Sequence, residues 1–159
     1  LFRSIVSVEK EKVDIMLKAA MAAPSAVNKQ PWSFIVIDDK EVLNHLAQVL
    51  PYAKMTAEAP MAIVVCGDLT KSLNGELGQY WMLDCSAASE NLLLAAEALG
   101  LGAVWTAVYP EEQRIENVRA VLSLPEYIVP FNLIPIGYPQ RNEKPKDKFK
   151  QENIHYNQW

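Results

Sequence analysis

The chain has 159 residues, of which 50% are hydrophobic and 21% charged, a balance that fits one soluble domain with a substantial core. A net charge of −4 at pH 7 leaves no excess of Lys and Arg to track phosphates along a strand, which argues against a nucleic-acid binder. Residues 81–102 are apolar enough to raise a membrane span, but Asp84, Glu90, Asn91 and Glu97 interrupt them at intervals that predict a buried soluble helix instead.

Val13, Met16, Leu17, Ala20 and Met21 recur at helical spacing and predict a helix over 9–22, with Ser7 as its N-cap. Pro24 ends that pattern. Ser25, Asn28 and Gln30 then crowd a short proline-bounded loop, a composition suited to reading a flat, hydrogen-bonding ring. Residues 32–37 read as a strand, and Asp39 caps a helix over 40–50 that Pro51 stops. A short helical piece at 52–58 precedes a continuous apolar strand at 61–66. After a loop with Gly75 and Gly78, a helix over 79–99 is apolar on nearly every side, so it is expected to be central and to meet a second subunit. Gly100 is its C-terminal cap, 103–109 a strand, 111–123 an amphipathic helix closed by Pro125, and 131–137 a last strand. The tail, 140–159, has no core of its own, yet Phe149, Ile154, Tyr156 and Trp159 predict that it wraps onto a partner chain. Helices alternating with buried strands give a sandwich around one sheet.

Several chemistries find no support. Gly-x-Ser-x-Gly is absent, and His45 and His155 fall on a helix face and in the tail. No His, Cys and carboxylate cluster has metal-ligand spacing. Cys66 and Cys85 read as small buried hydrophobes in a reducing cytoplasm, with no signal peptide apparent. Asp84 and Glu90, six residues apart, fall on different faces of their helix, and Gly100-x-Gly102 has the reverse order of a phosphate-cradling turn. Arg3-Ser4 and Lys146-Asp147-Lys148 would each suit a phosphate monoester. The start at Leu1 instead of Met suggests residues missing before it.

Taken together, Arg3-Ser4-Ile5, Ala23-Pro24-Ser25-x-x-Asn28-x-Gln30-Pro31-Trp32, Asp84 to Asn91, Leu99-Gly100-Leu101-Gly102-x-x-Trp105, Pro135-Ile136-Gly137-Tyr138-Pro139 and the tail from Lys146 to Trp159 resemble the FMN-dependent nitroreductase family over essentially the whole chain. The resemblance implies an α+β class fold: a three-layer α/β/α sandwich with a mixed, mainly antiparallel sheet, formed by residues 1–159 as a single domain in an intertwined homodimer. FMN would sit at the interface. Arg3 and Ser4 would hold its phosphate and ribityl end, Lys146 and Lys148 its phosphate from the other side. Pro24, Ser25, Asn28 and Gln30 would line the flavin from the partner subunit, and the backbone of Trp105, Thr106 and Ala107 would edge the ring. NADH or NADPH would deliver hydride to N5 and a small-molecule acceptor would follow in the same place. No catalytic side chain or metal is implied, because the flavin carries the chemistry.

Two departures from the family pattern stand out. A cation usually follows two residues after Arg-Ser, near flavin N1 and O2, and here Val6 and Ser7 follow Ile5 directly. Either the group is absent, Lys54 or a helix N-terminus replaces it, or a loop has been dropped after Ile5; the Leu1 start favours the last. Lys148 also stands where Arg is frequent, giving a point charge in place of a fork. The leading expectation is a cytoplasmic NAD(P)H-dependent flavin oxidoreductase acting on nitroaromatics, quinones or similar acceptors. The alternatives are a specialised dehalogenase or flavin-fragmenting enzyme, and a non-catalytic flavin-binding regulator.

Overall fold

The computed structural model describes residues 2, 6–141 and 146–159. Four helices and one five-stranded sheet appear among them, in the order α1 (Lys10–Met21), β1 (Trp32–Ile37), α2 (Lys40–Val49), β2 (Met61–Asp68), α3 (Tyr80–Ala98), β3 (Gly102–Ala103), β4 (Thr106–Ala107), α4 (Glu112–Leu122) and β5 (Ile128–Gly137). Short 3-10 turns occupy Ala26–Asn28, Lys54–Glu58, Gly75–Gln79 and Gln151–Asn153. The sheet runs β1-β2-β5-β3, with β4 also on β5, and these pairings are all antiparallel.

β2 sets the layering. Every one of its eight residues is buried, and alternate side chains enter opposite layers. Met61, Ile63 and Val65 pack with Met16 and Ala20 of α1 and with Cys85, Ala88 and Leu92 of α3. Ala62, Val64 and Cys66 pack with Leu43 and Leu46 of α2 and Val118 of α4. The result is the expected α+β, three-layer sandwich, with one helix pair on each face.

Local signals account for most element ends. Asp39 caps α2 by accepting from the N–H groups of Glu41 and Val42, and Gly100 ends α3 at φ 74°. Ser7 is not the cap of α1: Glu9 occupies that position and its side chain makes no capping bond. The expected strand over 103–109 is split into β3 and β4 for a physical reason. Both pair with β5 in one continuous register, and Val104 N–H donates to the Pro135 carbonyl at 3.3 Å, but Pro135 has no N–H to return. A bulge in β5 between Asn132 and Pro130 leaves Phe131 without a partner on β2 and turns it, with Asn132, toward the α3 side.

Cys66 and Cys85 are buried and unbridged. Burial pushes the Cys66 thiol up to about 12 and raises that of Cys85 further, and the Cys85 thiol donates to the Cys66 carbonyl at 3.6 Å. No helix among the described residues is long and apolar enough to cross a membrane.

Gly67 lies under the Trp81 ring, where an added Cβ would come within 2.3 Å of Cε3. Trp81 cannot retreat, because it is edge-packed on Tyr109 at 5.0 Å and Phe131 at 5.8 Å. Gly67→Ala is therefore expected to lower unfolding free energy by about 1–3 kcal/mol, read from a urea titration; an unchanged midpoint would contradict this packing.

Candidate functional site

The loop between α1 and β1 is built against its own backbone preferences. Val27, Asn28 and Gln30 adopt φ of 51°, 54° and 50°. Left-handed backbone at non-glycine residues costs on the order of 1–3 kcal/mol each, and a β-branched residue such as Val27 is a true outlier there. Surrounding bonds hold it in place. Ser25 Oγ accepts from Gln30 N–H at 2.9 Å, Asp84 Oδ1 accepts from Ala26 N–H at 2.9 Å, and the Pro31 carbonyl accepts from Asp68 N–H at 2.8 Å. Upstream, Asn91 Nδ2 donates to the Ala19 carbonyl at 3.0 Å, so a second polar residue of α3 steadies the end of α1.

What this loop presents is an amide pair. Gln30 Nε2 donates to Asn28 Oδ1 at 3.1 Å, which leaves the Asn28 NH2 group and Gln30 Oε1 without partners among the described residues. Both residues and Pro24 are exposed, and Ser25 is half-buried. A donor beside an acceptor fits the edge of a heterocycle carrying adjacent carbonyl and N–H groups, so the donor set is compatible with a flavin.

Trp105, Thr106 and Ala107 form the second element. The Trp105 ring packs on Phe131 at 5.5 Å, and the buried Thr106 hydroxyl donates to the Leu133 carbonyl at 2.6 Å. Those side chains are engaged with β5, which leaves the backbone of the segment and the exposed Ala107 as what it can offer a ligand. The aromatic run Trp81, Phe131 and Trp105 joins this segment to the turn of α3 that bears Asp84. No hydrogen bond links the 25–30 loop directly to 105–107 among the described residues.

Phe2 and the stretch 138–140 lie together at one edge of the fold. Phe2 is buried and bridges to Pro139, and its carbonyl accepts from Gln140 Nε2 at 2.9 Å. Nearby, Lys12 Nζ donates to Tyr138 Oη at 2.7 Å and to the Leu99 carbonyl, while Tyr138 O–H donates to Glu9 Oε2 at 2.6 Å. Arg3 and Ser4, with the position after Ile5 where a cation is expected, lie outside the described residues. Lys146 and Lys148 are exposed and have no ion pair among the described residues. Lys54, the candidate substitute cation, is also exposed.

Sequence reasoning missed the work of Asp84, Asn91 and the Glu9–Tyr138–Lys12 cluster. A lone buried carboxylate in an otherwise apolar helix is the signal for the first. The cluster joins residues 126 and 129 positions apart and left no local trace.

Comparison with known proteins gives the class first. The fold matches a crystal structure from Parabacteroides distasonis, provisionally named an NADH dehydrogenase/NAD(P)H nitroreductase, at TM-score 0.92 and 52% identity, covering 99% of this chain and 90% of that one. It also matches an FMN-dependent nitroreductase from Clostridium difficile at TM-score 0.89 and 32% identity, over 99% of this chain and 92% of that one. A relative from Methanothermobacter thermautotrophicus with the same provisional name is 48% identical over 152 residues, 96% of this chain and 78% of the relative. The nitroreductase family model matches residues 2–50 and 47–138. The chain belongs to the nitroreductase family and is an oxidoreductase of that family.

Asp68 gives the loop's exit a pH dependence. Burial pushes its carboxyl up, but hydrogen bonds from Thr70 and Lys71, with the Lys71 charge, outweigh burial and hold it below its ordinary value. Its stabilising contribution is complete above about pH 4 and is lost as pH falls through the depressed folded value. Acid titration of stability should thus fall less steeply below about pH 4 in Asp68→Asn than in the parent; parallel acid limbs would count against the assignment.

Proposed function

We propose that the chain is an NAD(P)H-dependent oxidoreductase that holds FMN between two copies of itself and reduces nitroaromatics, quinones or similar electron-poor acceptors. The observation that carries the reading is the 25–30 loop: a strained, exposed turn whose free amide groups match a ring edge, in a member of the nitroreductase family. FMN-dependent and NAD(P)H-using names among its relatives support the same cofactor and donors here. Bound FMN would supply the redox step, taking hydride from NADH or NADPH at N5 and giving electrons to the acceptor in a ping-pong sequence.

The chain's own residues bind and orient. Asn28 and Gln30, with Pro24 and Ser25, form a wall against the flavin edge. The backbone of Trp105, Thr106 and Ala107 lies along the ring. Lys146 and Lys148, with Arg3 and Ser4, neutralise the phosphate. Residues 1–159 act as one domain, and the 140–159 tail crosses to the partner.

The homodimer reading rests on what a single copy leaves uncovered. Tyr80, Leu83 and Leu94 of α3, Ile15 and Met21 of α1, and Val27 at the loop tip are exposed, and so are Phe149, Tyr156 and Trp159 of the tail. Such a face needs a partner in water. Two buried, unbridged thiols support a cytoplasmic setting.

Purified protein is expected to be yellow and to bleach when NADH or NADPH is added without oxygen. Persistent colour with both nucleotides in excess would favour a non-catalytic flavin binder. Lys146→Ala combined with Lys148→Ala should weaken FMN retention by about ten-fold or more, measured by flavin fluorescence, and unchanged affinity would remove the two lysines from the phosphate site.

A further inference from the structure

We propose that Asp84 is a positioning residue for the flavin-facing loop: its carboxylate, projecting from α3, holds the 25–30 loop in the conformation, left-handed at Val27, Asn28 and Gln30, that presents the Asn28 and Gln30 amides. The inference rests on the flavin reading of that loop. Asp84 lies among the buried residues of α3, between Trp81 and Ala88, and is itself only 5% exposed. A carboxylate removed so far from water needs a compensating donor. It has one in the Ala26 N–H, 58 residues away in the chain, at 2.9 Å.

The other bonds of the loop cannot replace this one. Ser25 Oγ to Gln30 N–H closes the turn on itself and would survive if the whole turn swung away. Pro31 to Asp68 fixes the exit onto β2 but lies beyond the last left-handed residue. Among the described residues, only the Asp84 hydrogen bond ties the turn between Ser25 and Gln30 to the body of the fold, next to the first strained residue, Val27. Removing it leaves a backbone N–H unpaired and lets Val27 relax toward ordinary backbone, which moves Asn28 and Gln30 with it. A charged acceptor suits this task because its hydrogen bond is stronger than a neutral one. Asp84 touches the loop and acts on the ligand through it.

The test uses the full-length protein and FMN, with affinity read by flavin fluorescence and folding by circular dichroism. Asp84→Ala should weaken FMN binding on the order of ten- to a hundred-fold. Asp84→Asn, which keeps an oxygen acceptor at the same place, should recover most of that loss. Val27→Gly in the Asp84→Ala background should also recover part of it, because glycine accepts positive φ without an anchor. A residue that merely filled the core would gain nothing from glycine at the loop tip.

Unchanged FMN affinity in Asp84→Ala, or a loss that neither Asp84→Asn nor Val27→Gly repairs, overturns the proposal. If Asp84→Ala does not fold, hydrogen exchange at the Ala26 amide in the wild type and in Asp84→Asn decides the matter. Protection in both supports the anchor, and free exchange in the FMN-bound wild type overturns it. A wild-type protein that binds no FMN would instead overturn the flavin reading itself.

Discussion

A strand buried on both faces must be covered on both faces, and β2 imposes that condition on the whole molecule. Its eight buried residues feed two separate apolar layers, one closed by α1 and α3 and the other by α2 and α4. Burial of this kind is non-directional and additive over area, so it sets the sandwich without dictating its ends. The ends are where polar bonds take over. At one end Asp84, Asn91 and Asp68 fix the run from α1 into β1; at the opposite edge Glu9, Lys12 and Tyr138 tie the start of α1 to the ends of α3 and β5.

That division explains where strain can be stored. The loop at 25–30 holds three non-glycine residues in left-handed backbone, an arrangement that survives only if neighbouring bonds over-determine it. A rigid apolar body supplies the fixed points, and the loop then presents the Asn28 NH2 group and Gln30 Oε1, which have no partner among the described residues. The aromatic run from Trp81 through Phe131 to Trp105 carries the same rigidity to the 105–107 backbone. A flavin carries its own redox chemistry, so what a flavin site asks of the protein around it is shape, hydrogen-bond complement and charge.

Much of this was legible in the sequence, because the signals were local. Asp39 as a cap, Gly100 as a stop, the all-apolar β2 and the amphipathic α2 each follow from a few adjacent residues. The Pro-Ser-x-x-Asn-x-Gln-Pro-Trp run marked the loop. Its conformation was not legible, since nothing about Val27 advertises positive φ. The split of the 103–109 strand depended on Pro135 lying opposite Val104, a fact of register that neither segment carries alone. Asp84 failed the test for a carboxylate pair and entered only as part of the family pattern, without a role, although its partner is a backbone N–H.

The central claim is that each flavin site takes its amide loop from one copy of the chain and its lysines from the other. Heterodimers made from an Asn28→Ala, Gln30→Ala copy and a Lys146→Ala, Lys148→Ala copy test it by FMN stoichiometry. Sites built across the two copies leave one site intact and one doubly damaged, so the account predicts one tightly held FMN per heterodimer. If each site were built within a single copy, both would be damaged and neither would retain FMN tightly, and that result would contradict the account.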